Sequence, residues 1–324
     1  MEKREQLAKI FPQIMRKMFL KDFFEFNKLQ EIRLRTNKPI IISYNNREYY
    51  VSNNGKLQTD STDAYLISKR EMKETMEFVS SYSLYAYEEE IKQGFITIQG
   101  GHRVGLAGKV VVEGEKVKLI KYISCMNIRL AHEVIGCGDK IMPYIVTNSE
   151  IENTLIISPP SAGKTTLLRD IIRQCSNGNS LLKGISVGVV DERSEIGACY
   201  MGEPQNDLGI RTDILDNCPK AVGIMMLIRT MSPKLIAVDE IGSKEDIEAI
   251  LYSCNCGCSL IATIHGSSLE DLEKKPRIKE LIERRIFSRF VILDKTYGVG
   301  TVAYVLNEKK EPIYDRNKNS YIKL

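Results

Sequence analysis

The stretch Asn153–Asp170, NTLIISPPSAGKTTLLRD, decides the fold of this 324-residue chain. It opens with a continuous run of β-branched and apolar residues, Thr154–Ile157, as expected of a buried parallel strand. A loop of small residues follows, after which leucine and isoleucine recur at helical spacing as far as Ile172. The stretch therefore predicts a strand, a loop and a helix in direct succession.

The loop fits the pattern G-x-x-x-x-G-K-[ST], except that Ser158 stands at the first glycine position. Such loops bind phosphate because backbone N–H groups, a helix N-terminus and one lysine point at the same anion. Lys164 is expected to reach the β- and γ-phosphates, and the Thr165 hydroxyl to bind Mg²⁺. The candidate nucleotide-contacting residues are Ser158, Pro159, Pro160, Ser161, Ala162, Gly163, Lys164, Thr165 and Thr166, the last expected as a helix residue rather than a second metal ligand.

The context of the loop strengthens this interpretation. The tripeptide Gly-Lys-Thr is common by itself, and an ordinary turn between a strand and a helix is the competing interpretation. However, a second apolar strand is predicted at Leu235–Val238, and Asp239 and Glu240 follow it directly. We therefore interpret the loop as the centre of a triphosphate-binding site.

Composition and charge describe an ordinary globular chain. Hydrophobic residues make up 43% and charged residues 27%, and the length suits two domains. The net charge of only +4 argues against a strong general affinity for nucleic acid. The first residues, MEKREQ, lack the apolar core of a signal peptide, and the uncharged stretch 249–269 is too polar to span a membrane. We therefore expect a cytoplasmic location.

Three parts are expected along the chain: an α+β domain at residues 1–145, an α/β domain at 146–308 that ends in a hairpin, and a polar peripheral tail at 309–324. The first domain is expected to begin with a helix that continues to Phe26. The residues expected on its buried face are Leu7, Ile10, Phe11, Ile14 and Met18.

Further elements of the first domain follow from local patterns. Asn45-Asn46 indicates a hairpin turn, Ser68–Glu71 is a capping box that opens a helix, and Gly100-Gly101 indicates a second hairpin. Another helix is expected over Leu84–Gln93. His102 and Arg103 follow the second turn, either as solvated residues of a strand edge or, for Arg103, as a contact to a nucleotide or a neighbouring subunit.

In the second domain strands and helices alternate, which is typical of an α/β fold with a mostly parallel sheet covered on both faces. The expected strands are Thr154–Ile157, Ile185–Val190, Lys234–Val238 and Ser259–Ile264, with a terminal hairpin of Phe287–Asp294 and Thr301–Leu306. Ligands bind at the carboxyl ends of such strands. The residues that follow them should therefore lie close to the phosphate loop.

These strand-end residues suit the hydrolysis of a γ-phosphate. Asp239 is expected to hold the metal and Glu240 to orient the attacking water, with a solvated ion pair as the alternative. Glu192 is a candidate for a second water-positioning group, unless it pairs with Arg193. His265 is a candidate sensor of the γ-phosphate, unless it is a capping or buried structural histidine.

Two arginines and three cysteines complete the candidates. Arg211 and Arg229 could each stabilise charge in a neighbouring subunit, and surface ion pairing is the alternative for both. The motif CNCGC, residues 254–258, lacks a spaced set of further metal ligands, so we interpret it as a turn before a strand. The eight cysteines are expected to be mainly small buried hydrophobic residues.

Several long motifs resemble a known family. SPPSAGKTTLLRDIIRQ, VGVVDERSEIGACYMGEPQNDLGIRTD, MMLIRTMSPKLIAVDEIG, LIATIHG and GGHRVGLAGKVV are similar to the stage III sporulation protein AA family, relatives of type II and type IV secretion ATPases. The resemblance implies a RecA-like P-loop ATPase core behind an N-terminal domain, an acidic box at Asp191–Glu195 and a histidine box at Thr263–His265. It also implies that Arg103 contacts the nucleotide.

The same resemblance implies how the protein works. It predicts a homo-oligomeric ring, hexameric, that binds ATP and Mg²⁺ and energises a channel between mother cell and forespore. The ring would lie at the inner membrane on the mother-cell side, held there by membrane proteins of the channel complex. A nucleic-acid-dependent RecA-like motor and a nucleotide-binding scaffold of low turnover are the alternative functions.

Overall fold

The computed structural model describes residues 2–21, 24–296 and 298–317. The chain divides into two compact units. The first unit contains Met1–His132 and Ala198–Gln205, and the second contains Glu133–Gly197 and Asn206–Leu324. The chain therefore leaves the second unit after Gly197 and returns to it at Asn206.

The first unit is built on a seven-stranded antiparallel sheet. Its strands are β1 (Leu29–Arg35), β2 (Ile41–Tyr44), β3 (Arg47–Val51), β4 (Leu57–Gln58), β5 (Phe95–Ile98), β6 (His102–Glu113) and β7 (Lys116–Arg129), in the order β4-β3-β2-β1-β7-β6-β5. Its helices are α1 (Glu2–Ala8), α2 (Gln13–Phe19), α3 (Lys69–Val79) and α4 (Glu88–Lys92). Helices and sheet enclose one hydrophobic core.

Three local patterns of this unit are confirmed. Asn45 and Asn46 both have positive φ, 50° and 61°, as a two-residue hairpin turn requires, and they join β2 to β3. The Ser68 hydroxyl accepts the Glu71 N–H at 3.2 Å, and the Glu71 carboxylate accepts the Ser68 N–H at 2.9 Å, so the capping box opens α3. Gly100 and Gly101 form the turn between β5 and β6.

Two predicted helices of this unit were wrong in extent. The first is interrupted, because α1 ends at Ala8 and α2 begins directly after Pro12, whose ring cannot continue a helix. The interruption turns Ile14 away from the core, and this residue is 58% exposed. Leu84–Gln93 is a short 3₁₀ turn, Leu84–Tyr87, followed by α4.

The second unit is an α/β fold around an eight-stranded sheet, which confirms the predicted fold class. Its strands are β10 (Thr154–Ser158), β11 (Val187–Asp191), β12 (Thr212–Asp216), β13 (Leu235–Val238), β14 (Ser259–His265), β15 (Arg289–Asp294), β16 (Thr301–Leu306) and β17 (Pro312–Asp315), in the order β12-β11-β13-β14-β10-β15-β16-β17. The first six strands in this spatial order, from β12 through β10 to β15, are parallel to one another. The last two, β16 and β17, pair antiparallel. A two-stranded ribbon, β8 (Val146–Thr147) and β9 (Glu150–Ile151), precedes them.

Helices cover both faces of this sheet. They are α5 (Met142–Ile145), α6 (Lys164–Asn177), α7 (Lys220–Thr230), α8 (Lys244–Asn255), α9 (Leu269–Glu273) and α10 (Pro276–Glu283). Successive residues of β10 point to opposite faces: Leu155 and Ile157 pack with α7, α8 and α10, whereas Ile156 packs with α6. All of these residues are fully buried, which explains the uninterrupted apolar run in the sequence.

Two strands of the eight-stranded sheet were not predicted. β12 lies in the polar stretch that follows β11, and its residues are partly buried or, for Asp213, exposed. β17 lies in the tail that was expected to be peripheral, and it pairs with β16. Residues 318–324 of that tail lie outside the described residues.

Across residues 2–21, 24–296 and 298–317, none of the helices combines the length and the apolar character needed to cross a membrane.

Candidate active site

The phosphate loop, Ser158–Thr165, connects the carboxyl end of β10 to the first residue of α6. Ser158 is the last residue of the strand and is buried beside His265 of β14 in the parallel register. The loop reverses further along, where Ser161 has a φ of 57° and Gly163 a φ of 93°. The serine at the first glycine position therefore needs no left-handed conformation.

Gly163 is the glycine that this loop requires. Besides its positive φ, a β-carbon on Gly163 would lie 3.0 Å from the backbone nitrogen of Gly300, in the turn between β15 and β16. The Gly300 N–H donates to the carbonyl of Ala162 at 2.8 Å. Gly300 and Val299 of this turn therefore pack closely against the phosphate loop, and the turn is joined to it by a backbone hydrogen bond.

Lys164 and Thr165 converge on Asp239, at the end of β13. The Lys164 ammonium lies 2.8 Å from one carboxylate oxygen of Asp239, and the Thr165 hydroxyl donates to the other at 2.7 Å. The hydroxyl of Thr263, from β14, also donates to this carboxylate. The strand ends thus bring together the lysine, threonine and aspartate that the sequence predicted.

The charge of Asp239 is stabilised by these donors. Burial raises the pKa of the Asp239 carboxyl, but the Lys164 ammonium and the hydroxyls of Thr263 and Thr165 outweigh it, so that the pKa lies below its usual value. Lys164 itself is only 8% exposed. The attraction between the ammonium and the carboxylate is therefore the main interaction that offsets the cost of removing both charges from water.

Glu240 lies at the same edge in an unusual backbone conformation. Its φ is 54°, which L-residues rarely adopt, and its N–H donates to the Thr263 hydroxyl at 2.9 Å. Its carboxylate contacts the Arg193 guanidinium at 2.7 Å, the His265 Nε2 at 3.2 Å and the Lys164 Nζ at 4.0 Å. Three groups that can carry positive charge thus surround this carboxylate.

Asp191, the last residue of β11, and Glu192, which follows it, have different partners. Glu192 pairs with the buried Lys220 at the start of α7, rather than with Arg193. Asp191 is buried and accepts the N–H groups of Glu195, Ile196 and Gly197 at 2.8 to 2.9 Å. Burial raises the pKa of Asp191 to about 6, although these N–H groups oppose the rise.

The candidate arginines occupy three different environments. Arg211 donates to the carbonyl of Ser176 at 2.9 Å, at the end of α6 opposite to the phosphate loop. Arg229 is exposed on α7. Arg103, in the first unit, lies over the ring of Phe95 at 4.2 Å from its centre. Within one chain, neither Arg211 nor Arg229 is among the residues that contact Asp239 or Glu240 in the described structure.

The expectation that His102 is a solvated residue of a strand edge was wrong. It is 2% exposed, its Nδ1 accepts the N–H of Ala131 at 3.0 Å, and burial lowers its pKa to about 4. The cysteines are also more varied than expected, because Cys175 and Cys199 are buried whereas Cys256 is exposed. In the part of the chain that the structure describes, no group of three or more His, Cys, Asp or Glu side chains is placed to hold a metal ion.

Sequence reasoning missed three contacts of the site. These are the pair of Lys220 with Glu192, the contact of Arg193 with Glu240, and the bond from the Thr263 hydroxyl to Asp239. Each joins residues that are far apart in the chain, on neighbouring strands or on a helix that follows a strand. The only available signal was position, since each residue lies at or near a carboxyl strand end.

The fold and the arrangement of these strand ends define a RecA-like P-loop α/β core. Among solved structures, the chain is similar to the ATPase DotB of Yersinia pseudotuberculosis, with 17% identity, a TM-score of 0.55 and coverage of 87% of this chain and 76% of that one. It is also similar to the pilus retraction motor PilT with bound ADP, with 14% identity, a TM-score of 0.56 and coverage of 87% and 80%.

The chain belongs to the family described as Sporulation stage III, protein AA, whose model matches residues 1–313. It is 42% identical over 316 residues to the stage III sporulation protein AA of Bacillus subtilis (strain 168), across 97% of this chain and 96% of that protein. It is also 30% identical over 162 residues to the uncharacterized protein ycf45 of Cyanidium caldarium, across 48% of this chain and 45% of that protein. The family that the sequence motifs indicated is confirmed.

We predict that Asp191→Asn changes how stability depends on pH. Asp191 has a folded-state pKa of about 6, above the value of about 3.9 for an unfolded chain, so the folded state binds this proton more tightly. Its contribution to stability is therefore complete below about pH 4 and is lost as the pH rises through 6. Between pH 4 and 7, the free energy of unfolding of wild type should fall by about 2 kcal/mol relative to Asp191→Asn.

Urea unfolding of both proteins across this pH range measures the difference. If the free energy of unfolding of wild type instead rose with pH relative to Asp191→Asn, the pKa of Asp191 would be lowered in the folded state. The three N–H donors would then outweigh burial, and the prediction would be wrong.

Proposed function

We propose that this protein is an ATP-binding, Mg²⁺-dependent ATPase. The observation that carries the proposal is the convergence of Lys164, Thr165, Asp239 and Glu240 at one edge of a parallel sheet, directly on a phosphate loop. An ammonium, a helix N-terminus and loop N–H groups suit a polyphosphate. Carboxylates next to them suit its hydrolysis.

The donor set at this edge fits Mg²⁺. The Thr165 hydroxyl and the Asp239 carboxylate are both hard oxygen ligands, and they already lie 2.7 Å apart. These two residues would hold the ion, which neutralises phosphate charge when bound. Asp239 is suited to this role because the Lys164 ammonium holds its pKa below the usual value, and Mg²⁺ would supply the positive charge in place of that ammonium.

The remaining residues divide the work of hydrolysis. Lys164 leaves Asp239 and binds the β- and γ-phosphate oxygens. Glu240 orients a water for attack on the γ-phosphorus and accepts its proton, while the bond from the γ-phosphorus to the bridging oxygen breaks and ADP leaves. The contacts of Glu240 with Arg193 and His265 hold its carboxylate at the site. Because Arg193 and His265 could also donate to the γ-phosphate, its presence would change the position of the Glu240 carboxylate.

The proposed working form is a homo-oligomeric ring, hexameric, in which hydrolysis powers or gates a channel between mother cell and forespore during sporulation. Support comes from the name of the Bacillus subtilis relative and from the likeness of fold to the ATPase DotB and the pilus retraction motor PilT. The ring would be cytoplasmic and attached to the mother-cell side of the inner membrane through membrane proteins of the channel complex.

The first test of this function is the Glu240→Gln variant. The amide keeps the shape of the side chain but cannot accept a proton from water as the carboxylate does. We expect ATP to bind within about 3-fold of wild type, and phosphate release to fall at least about 10²-fold, the size of a lost catalytic positioning group. Phosphate release and nucleotide binding are measured on the same samples.

Glu245→Gln is the matched control, because Glu245 is exposed in the first turn of α8, close in sequence to Glu240. It should turn over ATP as wild type does. Equal turnover in Glu240→Gln and wild type would remove Glu240 from its assigned role. Tight ATP binding without phosphate release in wild type would favour the low-turnover scaffold.

The exposed arginine of α7 can be tested by mixing subunits. If Arg229 acts in a neighbouring subunit, Arg229→Ala subunits keep an intact phosphate site, and Lys164→Ala subunits supply the arginine. Each variant alone should be inactive, and mixtures should recover a part of the wild-type rate. Absence of recovery at every ratio would count against a role for Arg229 across the interface.

Arg211→Ala serves as the comparison in this mixing experiment. Since Arg211 binds the carbonyl end of α6 in its own chain, we expect this variant to lower the midpoint of thermal unfolding. Mixing Arg211→Ala subunits with Lys164→Ala subunits should then give no recovery of ATP turnover. The rate should simply follow the fraction of Arg211→Ala subunits that is folded.

A further inference from the structure

The helix that starts in the phosphate loop also holds the segment that follows β11. Arg169 lies on α6, five residues after Lys164, and its side chain donates two hydrogen bonds to that segment. Its Nε donates to the carbonyl of Ile196 at 2.9 Å, and one terminal nitrogen donates to the carbonyl of Glu195 at 2.9 Å. A single guanidinium thus fixes two successive peptide groups.

The same segment is held from its other side by Asp191. While Arg169 binds the carbonyls, the Asp191 carboxylate accepts the N–H groups of Glu195, Ile196 and Gly197. Asn206 adds a bond from its side-chain amide to the Ile196 carbonyl at 2.8 Å. The backbone of residues 195–197, which we name the clamped segment, is therefore held by side chains from a helix, a strand and the returning chain.

Burial and neighbouring carboxylates also affect how strongly Arg169 is held in place. Burial lowers the pKa of the Arg169 guanidinium, and the carboxylates of Glu133 and Asp191 act in the opposite direction. A guanidinium remains charged under these conditions, whereas a hydroxyl or amide at this position would lack the attraction to both carboxylates. Arg169 is thus joined to the clamped segment by directional hydrogen bonds and is attracted by charge to Glu133 and Asp191 beside it.

The clamped segment has functional residues at both of its ends. Glu192 and Arg193 precede it, and Arg193 contacts the carboxylate of Glu240 at 2.7 Å. Directly after it, residues 198–205 belong to the first unit. In that unit, the side chain of Gln205 accepts the N–H of Gly100 at 2.9 Å, in the turn that precedes His102 and Arg103.

We propose that Arg169 is a positioning residue that transmits the occupancy of the phosphate loop to residues 192–205. The inference rests on the proposed function, because it requires that ATP binds at Lys164. Because Arg169 is bonded to the carbonyls of Ile196 and Glu195, a shift of α6 on phosphate binding would carry the guanidinium and these two carbonyls with it. The link relates nucleotide binding to the position of Arg193 beside Glu240 and to the segment that lies in the first unit.

The test compares Arg169→Lys with Arg173→Lys in the full-length protein. Lysine keeps the charge but cannot donate to two carbonyls in a fixed plane. Arg173 lies one turn further along α6, and its guanidinium binds Asp170 at 2.7 Å and not the clamped segment, so its replacement is the matched control. Hydrogen–deuterium exchange of residues 195–205 is measured with and without ATP·Mg²⁺, together with the affinity for ATP and the rate of phosphate release.

In wild type and Arg173→Lys, we expect ATP to change exchange in residues 195–205 by at least about 3-fold. In Arg169→Lys, ATP should bind within about 3-fold of the wild-type affinity, the change in exchange should fall by half or more, and kcat should fall with little change in KM. A purely structural role of Arg169 would raise exchange equally in both states and would leave the response to ATP intact.

Three results would overturn the inference. An unchanged response to ATP in Arg169→Lys would separate Arg169 from the signal. ATP binding to wild type without any change in residues 195–205 would reject the coupling while leaving the proposed function standing. Failure of wild type to bind ATP would reject the proposed function, and the inference with it. If Arg169→Lys does not fold, Arg169→Gln, which keeps one donor nitrogen without the charge, takes its place with the same expectations.

Discussion

The ion pair of Lys164 and Asp239 is the interaction on which the rest of the site depends. The two side chains are only 9% and 14% exposed, so each would be costly to bury without the other. The phosphate loop delivers the lysine at the first residue of a helix, and a neighbouring strand delivers the aspartate. A polyphosphate with its metal ion can replace the contact between them, since it offers anionic oxygens to one partner and a cation to the other.

The parallel sheet makes this pair possible and determines what surrounds it. Five adjacent parallel strands, β11, β13, β14, β10 and β15, end at one edge, and their last residues are forced together there. Thr263 serves two functions at this edge, because its hydroxyl donates to Asp239 and accepts the N–H of Glu240. The backbone of Glu240 is strained, with a positive φ. This conformation places its carboxylate among Arg193, His265 and Lys164.

What the sequence could predict is what local chemistry determines. The phosphate loop, the buried strand before it and the acidic residues at the end of β13 each have a signature within a few residues. Pairing across the fold leaves no such signature: Glu192 binds Lys220 rather than its neighbour Arg193, and Arg211 binds the end of α6. The return of residues 198–205 to the first unit is likewise set by packing between distant parts of the chain. One proline, Pro12, was sufficient to divide a helix whose apolar periodicity looked continuous.

The most direct measurement is a structure of the protein crystallised with Mg²⁺ and a non-hydrolysable ATP analogue. The account predicts that the Lys164 ammonium, which lies 2.8 Å from Asp239 here, will bind phosphate oxygens instead, with Thr165 and Asp239 beside the metal. An analogue bound elsewhere, with the ion pair of Lys164 and Asp239 intact, would contradict it.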